Sequence, residues 1–412
     1  MRLLPRLLAS RAALWTAFLV VHLGLGLLAL HAYGWPLGDV EAVYRFWADQ
    51  SIIAGYTVGI DAAWVYPILA LPFMLLPALG GHDGYPASWL TMIVVLDAVA
   101  LAAITDWGAK TARVRAGWWW LLFLAALGPI AVARIDAVTV AVALVGVALL
   151  ASRPPLAGAV LAAATWIKVW PAALVLAAVL ALRDRWRIVA VGTMLSVVIV
   201  ALALASGSGL NVLSFVTQQT GRGLQVESPL STPWLWGVVV GAPGSQVYYD
   251  QGILTFQVAG AGDDLAAALA TPLLAVVVLA IALLAIQGVR AGADQRVLLP
   301  PVALALVMAF LTVNKVGSPQ FASWLAVPVV LGLLWDAAGW RVPLVLAPIA
   351  ALLTQAVYPY LYHLVLAADP LMVTVLTARN ALYVVLLVWA VRRVALLGRR
   401  TRVRGIRMKE TA

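Results

Sequence analysis

With 412 residues, 64% of them hydrophobic and only 11% charged, this chain is too apolar for a soluble domain. It has no cysteine, which excludes disulfides and thiolate metal sites. A net charge of +10 would point to nucleic acid in a soluble protein; in so apolar a chain it is read instead as basic cytoplasmic loops, with no nucleic-acid partner.

Apolar runs of about 20 residues recur along the chain, the length needed to cross a bilayer. The expected spans are roughly 12–33, 86–106, 116–132, 136–151, 155–166, 168–182, 187–206, 266–289, 297–313, 320–336, 342–363 and 371–395, about twelve in all. The first follows Arg2, Arg6 and Arg11 and is too long for a signal-peptide core, so it is read as a retained span. Runs 136–151 and 155–166 are short for a full crossing and are expected to be tilted, broken or buried among other helices. The expected fold is an all-α polytopic membrane protein. A single integral membrane domain covers 1–396 and a basic cytoplasmic tail covers 397–412.

One apolar run, "WVYPILALPFMLLPALGG" (64–81), carries Pro67, Pro72 and Pro77. If it crossed, the basic segment "KTARVR" (110–115) would fall outside, against the positive-inside rule. It is therefore read as a juxtamembrane helix within a first outer loop, 38–85. The loop 207–265 is then also outside, and both termini are cytoplasmic. This topology places all but six of the 27 Lys and Arg residues on the cytoplasmic side, Lys110 among them. The six are Arg45, Arg134, Lys168, Arg222, Lys315 and Arg379. A cation near or inside the membrane is costly unless paired, so these six are candidates for binding an anion such as a phosphate. The basic tail from Arg392 to Lys409 is read as a topology anchor touching anionic lipid.

The outer face is expected to collect "GDVEAVYRFW" (38–47), "WVYP" (64–67), "ARID" (133–136), "TWIKVWP" (165–171), "GRGLQVES" (221–228) and "NKVGSPQFASW" (314–324). Lys168, Lys315, Arg222 and Arg379 are candidates for holding a donor phosphate. Tyr66, Trp166, Gln225, Asn314, Ser318 and Gln320 offer ring faces and hydrogen bonds to sugar hydroxyls, with Trp64, Trp170 and Trp324 as further flat faces. Asp39 offers a base, with Glu41 in support and Glu227 in reserve. A base, cations and aromatic platforms together suit sugar transfer from a lipid-linked phosphate. The leaving group is already a phosphate, and one displacement inverts the anomeric carbon. The plainer readings are that Asp39 caps a helix, that Arg134 and Asp136 pair with each other, and that Lys168 snorkels to the interface. Asp39 and Glu41 together are also a possible divalent-metal pair, though a metal is not favoured and no other cofactor is implied.

In this order the motifs "GDVEAVYRFW", "VYP", "WIKVWP", "RGLQVES" and "NKVGSPQF" resemble the actinobacterial polyprenyl-phosphate-mannose-dependent mannosyltransferases, glycosyltransferase family 87 of the GT-C superfamily. The resemblance runs over about residues 12–363. It implies a GT-C fold with juxtamembrane helices in the first outer loop and Asp39 as general base. It also implies polyprenyl-phosphate mannose as donor and a phosphatidylinositol mannoside or lipomannan-type glycolipid as acceptor, with the active site on the extracytoplasmic face of a bacterial plasma membrane. One departure is that the outer-face motifs hold no histidine. Two other functions compete: an arabinofuranosyltransferase using polyprenyl-phosphate arabinose, and a lipid or solute transporter. The sequence shows no internal repeat of the kind many transporters carry, and it does not give the oligomeric state.

Overall fold

The computed structural model describes residues 10–109, 111–218, 221–335 and 339–410, with 111–112 and 400–410 described by their backbone alone. The expectations for Arg2, Arg6 and Lys110, and for the side chains of the tail beyond Arg399, fall outside what is described. Among the described residues eight helices are long and apolar enough to cross a bilayer, and the chain is a helical multi-pass membrane protein. The eight are Arg11–His31, Ala70–Thr105, Arg113–Ala131, Arg185–Ala205, Asp263–Arg290, Gln295–Thr312, Arg341–Tyr360 and Pro370–Arg399. The other four expected spans fall on shorter apolar helices: Ile135–Leu149, Pro154–Ile167, Ala172–Ala181 and Pro319–Trp335. At 15 residues, Ile135–Leu149 is about 22 Å long, short of the ~30 Å hydrocarbon core. It is buried on nearly every side, as a helix that is apolar all round must be.

The proline-rich run is not a continuous helix. After an irregular stretch it forms helix Ala70–Leu75 and a 3-10 helix Leu76–Gly80, together about 19 Å. The chain then turns at Gly81, whose φ of 76° suits a residue without Cβ, into the 25-residue helix Gly81–Thr105. The short pieces pack back on that helix: the Tyr85 hydroxyl donates to Met74 O at 2.7 Å.

The chain divides into two compact units. The first comprises Met1–Val175 and Trp186–Gly221, the second Leu176–Arg185 and Arg222–Ala412. In the first unit helix Ile135–Leu149 lies against helix Pro154–Ile167, so closely that a Cβ on Gly146 would come within 2.7 Å of Leu161. A buried His22–Asp97 pair, 3.0 Å apart, links helix Arg11–His31 to helix Gly81–Thr105.

The second unit holds the long loop 207–265 from Arg222 onward, and this loop is not helical throughout. It carries a small antiparallel sheet of order β1-β3-β2, with β1 Leu224–Gln225, β2 Gln246–Asp250 and β3 Thr255–Ala259. The register pairs Gln246 with Ala259 and Asp250 with Thr255, while Leu224 faces Val258. Val226 and Val258 then join Leu235, Val357, Val365, Met372, Val373 and Leu376 in one apolar cluster, which seats the sheet on helix Pro370–Glu410.

Candidate functional site

In the first unit, residue 39 does not cap a helix. Backbone hydrogen bonding has already begun before it, since the Glu41 N–H donates to Leu37 O at 2.9 Å. Asp39–Tyr44 is instead a π-helical turn that closes five residues back, from the Arg45 N–H to Val40 O, and it continues into helix Arg45–Ile53. Its first residue has no side-chain cap, which overturns the capping alternative. The freed carboxylate of Asp39 reaches Arg134 instead, Oδ2 to Nε, at 2.9 Å. Arg134 Nη1 also donates to Pro36 O and, at 2.7 Å, to Ala133 O. The Asp39 side chain is 41% exposed and that of Arg134 only 7%. Glu41 leads elsewhere: its carboxylate accepts the indole N–H of Trp35.

A second ion pair starts two residues further along the chain. Asp136, in the first turn of helix Ile135–Leu149, meets Lys168 Nζ at 2.7 Å, and both side chains are largely buried. The helix ends favour this pairing, with the carboxylate at one N-terminus and the cation just past the C-terminus of Pro154–Ile167. Arg134 and Asp136, which the plainer sequence reading pairs with each other, have Asp39 and Lys168 among their partners. Lys168 Nζ also lies 5.7 Å from the centre of the Tyr66 ring.

Around these charges stands an aromatic wall. Tyr44, Trp47, Trp64 and Tyr66 meet with ring centroids 5.4–6.4 Å apart, mostly edge to face. The Tyr44 hydroxyl accepts the Ile135 N–H at 3.3 Å. Burial, then the neighbouring Tyr66 and Asp39, push the Tyr44 phenol well above its ordinary value; burial, then Asp39 and Asp136, do the same for Tyr66. Both phenols therefore stay protonated at neutral pH and serve as hydrogen-bond donors or neutral surface. The wall is held from two sides. The Trp64 N–H donates to Ser214 Oγ at 2.7 Å, and the Leu69 N–H donates to Trp166 O at 3.0 Å, which brings "VYP" beside "TWIK".

Not every expected platform is open. Trp64 is buried by its neighbours, Trp170 is buried with its N–H on Thr139 Oγ1, and Trp324 is stacked on Phe321. Trp166 keeps partial exposure while its N–H donates to Ser196 Oγ at 2.9 Å.

In the second unit, "QVES" and "NKVGSPQ" are laced together. The Gln225 N–H donates to Lys315 O at 3.0 Å, the Gly317 N–H to Gln225 Oε1 at 3.2 Å, and Ser228 Oγ to Asn314 O at 2.7 Å. Gln225 also donates to Ser318 Oγ at 3.2 Å. Only glycine fits at 317, where a Cβ would lie 2.4 Å from Ser228 Cα. The side chain of Gln320 is half-buried beside these. Lys315 is buried, and its amine is pulled below the ordinary lysine value by that burial and then by the charge of Arg222. Two cations within electrostatic reach are what an anion site offers.

Glu227 and Arg379 have a different setting from the one expected. They form a closed ion pair, Arg379 Nη1 to Glu227 Oε2 at 3.1 Å, with side chains 2% and 1% exposed. Arg379 also donates to Glu227 O and to Asn380 Oδ1, and Asn380 donates to Thr232 Oγ1 at 2.9 Å. A carboxylate sealed against arginine is a weak base, and a phosphate reaching this arginine has to displace Glu227.

Among the described residues no group of three or more His, Asp or Glu side chains is placed to hold a metal ion. No protein-family model matches the chain, and no curated protein matches it. Sequence reasoning had already singled out Asp39, Lys168 and Tyr66, which the first unit gathers in one place. It placed Arg134, Asp136 and Tyr44 in outer-face motifs, and Arg134 among the anion-binding candidates, but gave none of the three a role beside Asp39. Arg134 is one of the six cations that topology does not explain, and Asp136 follows it in "ARID".

Proposed function

We propose that the protein is an inverting glycosyltransferase of the GT-C kind. It moves a mannosyl residue from polyprenyl-phosphate mannose to a glycolipid acceptor of the phosphatidylinositol mannoside or lipomannan type. The observation that carries this reading is the Asp39 carboxylate: partly open to solvent, fixed by Arg134, and near enough to Tyr44 and Tyr66 of the aromatic wall to act on both phenols. A partly exposed carboxylate with a free oxygen can take the proton of an incoming hydroxyl. In the proposed step Asp39 accepts the acceptor hydroxyl proton as the acceptor oxygen bonds to the anomeric carbon. The bond from that carbon to the phosphate oxygen breaks, and polyprenyl phosphate leaves with the electron pair. Attack opposite the leaving phosphate inverts the centre.

Lys168 is assigned to the donor phosphate, exchanging Asp136 for it as the donor binds. Tyr66 and the exposed part of Trp166 are assigned to sugar contact. In the second unit Arg222 and Lys315 are assigned to phosphate, and Gln225, Asn314, Ser318 and Gln320 to hydroxyl contacts. No metal is assigned a role. The accompanying topology has about twelve membrane segments in a bacterial plasma membrane, both termini cytoplasmic, and residues 38–85 and 207–265 outside. Its support is the distribution of Lys and Arg along the sequence.

The test is transfer of radiolabelled mannose from polyprenyl-phosphate mannose in membranes carrying the full chain. Wild type is expected to form a labelled glycolipid, and Asp39→Asn to lose at least ~100-fold in rate while still folding. Transfer from polyprenyl-phosphate arabinose alone would move the reading to an arabinofuranosyltransferase. Movement of a lipid or solute across the bilayer without glycosidic bond formation would replace it with a transporter.

A further inference from the structure

We infer that Arg134 is a positioning residue for the Asp39 carboxylate, an assignment that rests on the reading of Asp39 as the base. Asp39 sits on a turn, and its carboxylate, 41% exposed, is free to sample several orientations unless something fixes it. Arg134 is suited to fix it. Its side chain is 7% exposed, and its planar head is bolted at three points. Nη1 donates to its neighbour Ala133 O and to Pro36 O, three residues before Asp39, while Nε donates to Asp39 Oδ2 at 2.9 Å.

The same guanidinium therefore grips the carboxylate and the segment leading into its turn. The next residue holds the other end, because the Ile135 N–H donates to the Tyr44 hydroxyl. Residues 134 and 135 thus pin both ends of Asp39–Tyr44 to the start of helix Ile135–Leu149. The contact to Asp39 uses one oxygen and leaves Oδ1 for an acceptor hydroxyl. A lysine has a single flexible head and cannot reproduce this three-point hold.

The experiment uses the full chain in membranes, with polyprenyl-phosphate [14C]mannose as donor. Wild type, Arg134→Ala, Arg134→Lys, Asp39→Asn and the double variant Asp39→Asn/Arg134→Ala are compared, and folding is followed by thermal melting of the purified proteins. A misplaced base costs turnover rather than binding, so Arg134→Ala should lower kcat about 100-fold with both KM values within about 2-fold. Arg134→Lys should recover about a tenth of wild-type kcat, and Arg134→Ala should cost nothing further once Asp39 is Asn. Wild-type kcat in Arg134→Ala, a loss carried by donor KM alone, or an equal further loss in the Asp39→Asn background overturns the assignment. If Arg134→Ala does not fold, Arg134→Lys decides, and wild-type turnover there overturns it too. Full activity in Asp39→Asn instead sinks the reading of Asp39 as base, a result separate from the failure of Arg134.

Discussion

Replacing Arg379 by methionine keeps most of the side-chain length but removes the hydrogen bonds that Arg379 gives to Glu227. In the native protein the guanidinium meets Glu227 Oε2 at 3.1 Å, the Glu227 carbonyl, and Asn380 Oδ1 at 2.8 and 3.1 Å. The substitution leaves a carboxylate of 1% exposure with no compensating charge from this arginine. Breaking such a pair from one side costs about 3–5 kcal/mol. Glu227→Gln is milder, because the guanidinium keeps the backbone oxygen and Asn380; about 1–3 kcal/mol is expected. The double variant Glu227→Gln/Arg379→Met strands no charge and should be more stable than Arg379→Met alone. The assay is thermal melting of the full chain in lipid nanodiscs, where Arg379→Met should melt about 5 °C lower. Activity at low temperature separates the roles. If Arg379 serves the donor, the double variant keeps its stability gain but shows a raised donor KM. Melting of Arg379→Met within about 1 °C of wild type, or a double variant less stable than the single, would refute the reasoning.

Gly317→Ala forces a methyl group against the Ser228 backbone and should cost about 1–3 kcal/mol or more, read as a lower melting temperature; an unchanged melt would show that the two segments separate freely. Lys168→Ala should raise donor KM at least ~10-fold more than acceptor KM, measured by varying each substrate in turn; an equal effect on both counts against a phosphate role. His22→Phe removes the partner of the buried Asp97 carboxyl and should destabilise by about 1–3 kcal/mol in the same melting assay, while Asp97→Leu leaves the imidazole still bonded to Phe18 O and should cost less.

Eight of the twelve expected membrane segments were legible because burial in lipid demands long apolar runs, and the runs at 266–289 and 371–395 have no competing reading. The break in the proline-rich run has a local cause: Pro72 and Pro77 disfavour one straight helix, and Gly81 supplies the turn. The sheet in 207–265 was not. Its longer strands are five residues each, and their pairing depends on an apolar seat far away in the sequence, at Val357 and Met372. The ion pairs were half legible. Charge and topology pointed to Arg134 and Lys168, but partner choice is a tertiary fact, and neither Asp39 for Arg134 nor Asp136 for Lys168 can be read from spacing. The capping reading of Asp39 had the right residue type and the wrong frame, because the helical hydrogen bonding starts earlier than "GD" suggests.

The π-helical turn has a consequence for which side chains can share a task. In an α-helix, positions 39 and 44 would stand about 140° apart around the axis, and one of them would face away from residues 134 and 135. Closing the hydrogen bond five residues back lets the two share a face. The acid at one end and the phenol at the other can then touch consecutive residues of a single helix start. The extra residue in that turn works as a spacer. Deleting one residue from "VEAV" would leave the acid and the phenol four positions apart in an ordinary helix, about 40° from each other and still on one face, whereas an α-helical closure of the full-length turn would swing one of them off it.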